Sequence, residues 1–129
     1  MDATTFEAKL KTKSQTARTF QISNIRLDAE ALSLQFQSNI NFESFEQFAQ
    51  PFTKKFECRV IQQHYGADRH QWQVEFEGCF LTLNYEYYSD SCWLKAEHQA
   101  DIETLQFLKS VMEKYPTISS AEVNGYEGN

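Results

Sequence analysis

Apolar and polar residues alternate through residues 71–97, and a period of two is typical of half-buried β-strands. Two polar dipeptides, Glu77-Gly78 and Ser89-Asp90, interrupt the alternation and divide it into three runs. A glycine at the second position of a two-residue loop suits a type I′ hairpin turn, which favours the first dipeptide as a tight turn. The pattern therefore predicts a meander of three antiparallel strands, which is the firmest structural prediction that the sequence allows.

The two turns also fix a register that the structure can test. The first turn pairs Val74 with Leu81, and a two-residue turn at Ser89-Asp90 pairs Tyr85 with Leu94. Because side chains alternate between the two faces of a strand, both registers place all apolar members of the runs on one face. These members are Trp72, Val74, Phe76, Cys79, Leu81, Leu83, Tyr85, Tyr87, Cys92, Leu94 and Ala96.

Three further strands and two helices are predicted outside these runs. Residues 18–25, 30–37 and 57–65 have strand character, whereas residues 42–55 and 101–115 have apolar positions three and four apart, as on one side of a helix. Asn41 and Asp101 are suitable N-caps, and Pro51 should kink or break the first helix. The helical stripes are Phe45, Phe48, Phe52 and Phe56 in the first helix, and Ile102, Leu105, Leu108, Met112 and Tyr115 in the second.

The order β-β-α-β-β-β-β-α predicts an α+β fold. We expect a two-layer sandwich, in which a mainly antiparallel sheet, with its meander at 57–97, carries the helices at about 42–55 and 101–115 on one face. Residues 1–116 are assigned to a single α+β domain and residues 117–129 to a flexible C-terminal tail. Alternation in the segment 4–13 leaves open whether it adds an edge strand.

Composition and charge exclude several classes of function. The chain of 129 residues has a formal net charge of −6, and residues 75–103 contain seven acidic residues beside a single basic one, Lys95. Such a surface repels phosphate backbones, so we expect no binding to nucleic acid. No apolar run is long enough to cross a bilayer or to act as a secretory signal, so a cytoplasmic protein without membrane contact is predicted.

Catalytic and cofactor motifs are missing from the sequence. The chain has four glycines, with no phosphate-binding loop, no GxSxG and no HExxH, so no cofactor is expected. Cys58, Cys79 and Cys92 are an odd number without CxxC spacing, which indicates free and mostly buried thiols. We predict no catalytic residues and favour a protein that is not an enzyme.

One hairpin loop contains three residue types that bind metals. His64, Asp68 and His70 lie within seven residues, but zinc needs three or four ligands in tetrahedral geometry. Arg69 lies among them and disfavours a cation. We therefore favour a solvated loop, with these three residues as the candidates should a metal bind.

The outer face of the meander offers a candidate surface for a protein partner or a second copy of the chain. Phe80 and Trp93 are predicted to point away from the core, with Tyr88 at the second turn. Large aromatic residues on a polar surface are typical of interface anchors. Three carboxylates, those of Glu75, Glu86 and Glu97, complete the predicted partner-binding surface and favour a basic partner.

The sequence also leaves a second function open. A small-ligand binding domain, or a minor enzyme, would have a pocket between the sheet and the Phe-rich first helix. Convergent polar groups such as His64, Tyr85 and Tyr87 would fix the orientation of its ligand.

The segment Ser91-Cys92-Trp93-Leu94 ends a Tyr-rich strand and precedes a capped helix. In this it resembles a small uncharacterised bacterial family of unknown function, over about the middle and C-terminal two-thirds of the chain. Lys95 stands where the resemblance implies an acidic residue. The resemblance implies no activity, so the functional hypothesis remains an acidic cytosolic interaction module.

Overall fold

The computed structural model describes residues 18–120, which form one antiparallel sheet and two α-helices. The sheet order is β3-β4-β5-β6-β2-β1-β7, and every neighbouring pair is antiparallel. This confirms the α+β class and the antiparallel sheet; the sheet curls into a half-barrel, and the two-layer arrangement stays a prediction. The elements are β1 (Thr19–Asp28), β2 (Ser33–Ser38), α1 (Phe45–Lys55), β3 (Arg59–Tyr65), β4 (Arg69–Phe76), β5 (Cys79–Glu86), β6 (Ser91–Ala96), a 3-10 turn (Gln99–Asp101), α2 (Ile102–Lys114) and β7 (Thr117–Ser119).

The first predicted hairpin register is confirmed. Val74 lies opposite Leu81, and the turn residues Glu77 and Gly78 both have positive φ, at 49° and 85°, as a type I′ turn requires. Gly78 adopts this conformation at little cost because it has no Cβ.

The second predicted register is wrong by two residues. Tyr85 lies opposite Cys92 rather than Leu94, because the loop has four residues, from 87 to 90, instead of two. A shift of two residues leaves every side chain on the same face of the strand, so Leu94 still faces the core. Tyr87, predicted on the core face, is instead part of the loop and is 55% exposed.

Helix α1 begins later than predicted, and its N-cap is Ser44 instead of Asn41. The Ser44 N–H donates to Asn41 Oδ1 (2.8 Å) and the Asn41 N–H donates to Ser44 Oγ (2.9 Å), so the two residues form a turn before the helix. Pro51 lies inside the helix without ending it. The buried rings of Phe48 and Phe52 hold the helix against the sheet on both sides of the proline, which offsets its lost hydrogen bond.

Aromatic rings fill the space between the sheet and α1. Phe48 is fully buried, with its ring centroid 5.6 Å from that of Phe20 and 5.2 Å from that of Phe52, and the Phe45 ring lies 5.9 Å from Trp72. Aromatic pairs at such distances pack favourably in edge-on or offset arrangements. The space beneath Phe45, Phe48 and Phe52 is therefore filled by side chains of the core, whereas a cavity of about 400 Å³ lies at the C-terminal end of α1, lined by Phe56, Phe76 and Phe107.

Part of the segment assigned to the C-terminal tail forms a strand. Thr117–Ser119 pair with the start of β1, and Ile118 between them is fully buried, so these three residues belong to the sheet. Residues 121–129 and the segment 4–13, for which an edge strand was considered, lie outside the described residues. Neither α-helix of the described region has the length and apolar character needed to cross a membrane.

Candidate functional site

The outer face of the sheet carries a row of polar side chains across five strands. Cross-strand register aligns Gln71, Asn84, Trp93, Gln35 and Arg26 in this order, from β4 to β1. Side chains directly opposite each other on antiparallel strands are neighbours, so Trp93 lies between two amides. The pairing of β2 with β6 creates this row, because it brings Gln35 of β2, and through it Arg26 of β1, beside Trp93.

A groove of about 530 Å³ lies on this face. Trp93 and Gln35 line it at the centre, and residues of β1, β6 and the β5–β6 loop form its sides. The volume falls within the range of about 300–1,000 Å³ that is typical of ligand sites. The groove is therefore large enough to receive a ligand or a segment of a partner.

Hydrogen bonds between side chains fix the polar groups around the groove. Gln71 Nε2 donates to Asn84 Oδ1 (3.0 Å), and Asn84 Nδ2 donates to Thr82 Oγ1 (2.9 Å), while Asn84 is only 2% exposed. On the other side of Trp93, Arg26 Nη2 donates to Gln35 Oε1 (2.8 Å). Side chains held in this way lose little conformational entropy when a ligand binds.

The Trp93 ring makes a cation–π contact with Arg69. The Arg69 guanidinium carbon lies 5.3 Å from the centre of the Trp93 ring, a favourable cation–π distance. Arg69 is the register partner of Glu86, but within residues 18–120 the two do not form an ion pair. The guanidinium thus orients the indole that forms the middle of the groove.

The structure brings two of the six predicted partner-binding residues, Trp93 and Glu86, into the groove. Phe80 is 51% exposed at the opposite end of β5, where it faces Glu75 across the strand pair. Tyr88, in the β5–β6 loop, is 77% exposed, and Glu97 is an exposed residue just after β6. The surface therefore extends over the length of β5, with the groove at one end.

The predicted excess of negative charge on this face is reduced by ion pairing. Arg59 on β3 donates two hydrogen bonds to Glu75 and forms a salt bridge with it. Arg26, Arg69 and Lys95 add three more cations to the outer face. A strongly basic partner is therefore less suitable than the sequence suggested.

The three candidate metal ligands do not come together. His64 and His70 belong to adjacent strands, but His64 is paired with Gln71, so the two imidazoles point to opposite faces. His70 is buried, with its ring 3.8 Å from that of Phe42 and its Nε2 3.0 Å from the Phe42 carbonyl oxygen. Within the described range, no cluster of three potential ligands exists.

Two of the three thiols, those of Cys58 and Cys92, are unsuited to nucleophilic chemistry. Burial raises the pKa of Cys58 to about 12 and raises the pKa of Cys92 as well, so both remain protonated near neutral pH. Cys79, predicted on the core face, is only partly buried, and its Sγ contacts Asp101 Oδ1 (3.4 Å) and Thr104 Oγ1 (3.2 Å). All three cysteines are free.

The buried thiols predict a loss of stability at alkaline pH. Cys58 and Cys92 release their protons more easily in the unfolded chain than in the folded protein, so their stabilising effect is complete below about pH 9 and declines above it. In urea unfolding between pH 9 and 11, we expect the free energy of unfolding to fall by up to about 1.4 kcal/mol per pH unit for each thiol. Cys58→Ala and Cys92→Ala should each show a shallower fall, and parallel curves for all three proteins would contradict this origin.

The sequence did not reveal the residues that β1 and β2 contribute to the groove. No local pattern in the sequence distinguishes the groove residues Asn24, Arg26, Gln35 and Gln37. They become part of a site only because β2 pairs with β6. The sequence contains one indication of this role: Gln35 and Gln37 alternate with Leu34 and Phe36, which is the pattern of residues on the polar face of a strand.

Comparison with known proteins agrees with a domain of unassigned function. The chain matches the family described as "Protein of unknown function (DUF3630)" over residues 22–113, and it belongs to that family. The match includes α1, α2 nearly to its end, β1 from Ile22 onward, the strands β2–β6, and all residues of the groove. No curated protein and no solved structure shows a significant match.

Proposed function

We propose that this domain is a non-enzymatic protein-interaction module that binds a protein partner, or a second copy of itself, through the outer face of the sheet. The observation that carries the proposal is the combination of the exposed Phe80 and the groove around Trp93 on one face. Phe80 is 51% exposed, and Trp93 lines the groove at the level of Asn84, four residues further along β5. Aromatic residues supply large contact areas and are enriched at interface centres.

The extent of the face suits a protein. Phe80 and Glu86 are six residues apart along β5, which corresponds to about 20 Å at the rise of an antiparallel strand. Five strands at about 4.8 Å make the face about 24 Å wide, so its projected area of about 500 Å² corresponds to an interface at the small, transient end of the usual range. The mixture of charges on the face supports a partner whose contact surface is polar and near neutral.

A second candidate function is the binding of a small polar ligand in the same groove. The specific observation in its favour is the hydrogen bond from Arg26 to Gln35, which fixes two polar side chains that line the groove, since a few fixed polar groups in a concave site are typical of small-molecule recognition. The location differs from the pocket predicted between the sheet and the Phe-rich helix, where aromatic rings fill the space.

The proposed compartment is the cytoplasm. Three free cysteines are compatible with a reducing environment, in which disulfides are rare. The net charge of −6 supports a protein partner over a nucleic acid.

A matched pair of substitutions tests the proposed surface. Phe80 on β5 and Phe107 on α2 are 51% and 52% exposed, so replacing either one with Ser removes a similar exposed ring. In complexes isolated from the cells in which the protein occurs, we expect Phe80→Ser to lower the recovered fraction of the second chain about tenfold, the effect of losing an interface anchor. Phe107→Ser should leave that fraction unchanged, and equal losses for the two variants would contradict the assignment of the face.

A further inference from the structure

We propose that the groove binds a neutral sugar, whose ring stacks on Trp93 and whose hydroxyl groups form hydrogen bonds with side chains of β2 and β5. The inference rests on the second candidate function, the binding of a small polar ligand, and names the chemical class of that ligand. It does not depend on Phe80, which lies at the end of β5 away from the groove.

One face of the Trp93 ring is open to a ligand. Arg69 contacts the ring but does not line the groove, whereas Gln35, the register partner of Trp93, does. In the sheet order, the strand of Arg69 and the strand of Gln35 lie on opposite sides of β6, so Arg69 and the groove are on opposite faces of the indole. The π-system is negative above its plane and attracts the weakly positive C–H groups of a sugar ring.

Two amide side chains on β2 present free N–H groups to the groove. Gln35 Oε1 accepts a hydrogen bond from Arg26 Nη2 (2.8 Å), and Arg26 can only donate, so the Gln35 Nε2 points away from the guanidinium. Gln37 Oε1 accepts from Asn24 Nδ2 in the same way. Among residues 18–120, neither amide nitrogen donates to another group. Both nitrogens are therefore held as donors for the oxygen atoms of a ligand.

Carboxylates supply hydrogen-bond acceptors at one end of the groove. Glu86 and Asp90 line this end, where β6 begins. The Ser89 hydroxyl donates to Glu86 Oε1, which orients the carboxylate and leaves further lone pairs on it. A hydroxyl group both donates and accepts, so a ligand with several hydroxyl groups matches the donors of β2 and these acceptors together.

The charges around the groove favour a ligand without net charge. The charged residues that line it are two cations and two anions, Arg26, Lys95, Glu86 and Asp90. Arg69 lies opposite Glu86 on the neighbouring strand. Asp28 lies in the cross-strand row of Lys95, through Ser33 between them. Because the signs are interspersed, no part of the groove attracts an anion or a cation strongly, and a neutral sugar fits better than a sugar phosphate.

Proton–nitrogen correlation NMR of the full chain tests the proposal, because the Trp93 indole N–H and the Gln35 side-chain amide each give a signal. The probes are the neutral hexoses glucose, galactose and mannose. We expect at least one of them to shift both signals saturably, with a dissociation constant of about 1 mM. If none of the three shifts these signals saturably up to about 100 mM, the proposal is wrong.

Charged derivatives test the preference for a neutral ligand. Each hexose is compared with its amino sugar and its uronate, which carry a single positive or negative charge on the same ring. The preferred hexose should bind at least about fivefold more tightly than both derivatives, because a charge loses hydration in the groove without gaining a partner of its own. Tighter binding of a charged derivative, or of adenosine, which also stacks on indoles, would overturn the assignment to a neutral sugar.

Substitutions locate the sugar in the groove. Trp93→Ala should weaken binding of the preferred hexose at least about tenfold through loss of the stacking surface. Gln35→Glu keeps an acceptor for Arg26 but removes the free donor, and should weaken binding about fivefold. Gln73→Glu is the matched control, since Gln73 lies on the same face of the sheet outside the groove, and should leave the affinity unchanged. Equal effects of the two glutamine substitutions would show that the groove is not the site.

The results separate this inference from the interaction through Phe80. Phe80→Ser should leave the affinity for the hexose unchanged while it lowers the recovery of a second chain. If no hexose binds and the second chain is still lost in Phe80→Ser, the interaction module stands and only the sugar site is wrong. If a hexose binds and no second chain is recovered with the wild-type protein, the sugar site stands and the interaction module is wrong.

Discussion

Replacing Phe48 with Ala should lower the free energy of unfolding by about 3–5 kcal/mol, which is the usual cost of truncating a fully buried phenylalanine. Phe48 is 0% exposed and its ring contacts those of Phe20, Phe36 and Phe52, so the deletion leaves a cavity between α1 and the sheet. The loss is large compared with the total stability of about 5–15 kcal/mol that is usual for a domain. Urea unfolding followed by circular dichroism measures the difference.

Phe80→Ala is the matched control for this experiment, because it removes the same group from an exposed position. We expect it to change the free energy of unfolding by less than about 1 kcal/mol, as is common for surface positions. A loss at Phe48 no larger than that at Phe80 would show that α1 does not pack on the sheet as described.

The double variant Phe80→Ser with Trp93→Ser should abolish association with the partner while the domain remains folded. Phe80 is half exposed and Trp93 is partly exposed on the outer face, so their removal takes away interface anchors without opening the core. Losing two anchors at about 2 kcal/mol or more each corresponds to a decrease in affinity of about a thousandfold. Sedimentation of the complex, with wild-type protein run in parallel, measures the decrease.

The fold of the double variant has to be checked on the same samples. Circular dichroism should be unchanged, and the urea midpoint should fall only slightly, through loss of the Arg69–Trp93 contact. If the double variant unfolds, the two aromatic residues belong to the core and the proposed surface is wrong.

Local patterns were sufficient to predict the central meander. The alternation of Trp72, Val74 and Leu81, together with the Glu77-Gly78 turn, determines which residues pair and which face is buried. The loop at the other end of β5 contains no such signal, because no glycine marks it. The loop has four residues, one of which, Asp90, adopts a φ of 53°. Its length explains why the observed register of β6 differs by two residues from the predicted one.

Long-range pairing explains why the sequence did not predict the groove. Gln35 and Trp93 are far apart in the chain and become neighbours only when β2 docks on β6. The strand periods of the two segments were predicted, but periodicity does not specify which strands are adjacent in a sheet. Trp93 and Glu86 were therefore identified as candidate binding residues without the residues of β1 and β2 that line the groove with them.

The continuity of the first helix and the strand at the end of the described region also depend on contacts with distant parts of the chain. Pro51 predicted a break in the first helix. The helix nevertheless continues past it, because burial of the phenylalanines outweighs the free-energy cost of a proline in the helix interior. Thr117–Ser119 had the composition of a tail. They form a strand because they pair with β1 and because Ile118 is buried in the core. In each case the contact that decides the structure comes from a distant part of the chain.

Native mass spectrometry of the protein, isolated gently from the cells in which it occurs and at its natural abundance, tests the central claim most directly. The interaction module predicts a stoichiometric second chain or a clean dimer, lost in the double variant Phe80→Ser with Trp93→Ser and retained in Phe107→Ser. A bare monomer that carries the mass of a small molecule would contradict the claim and would assign the groove around Trp93 to that molecule.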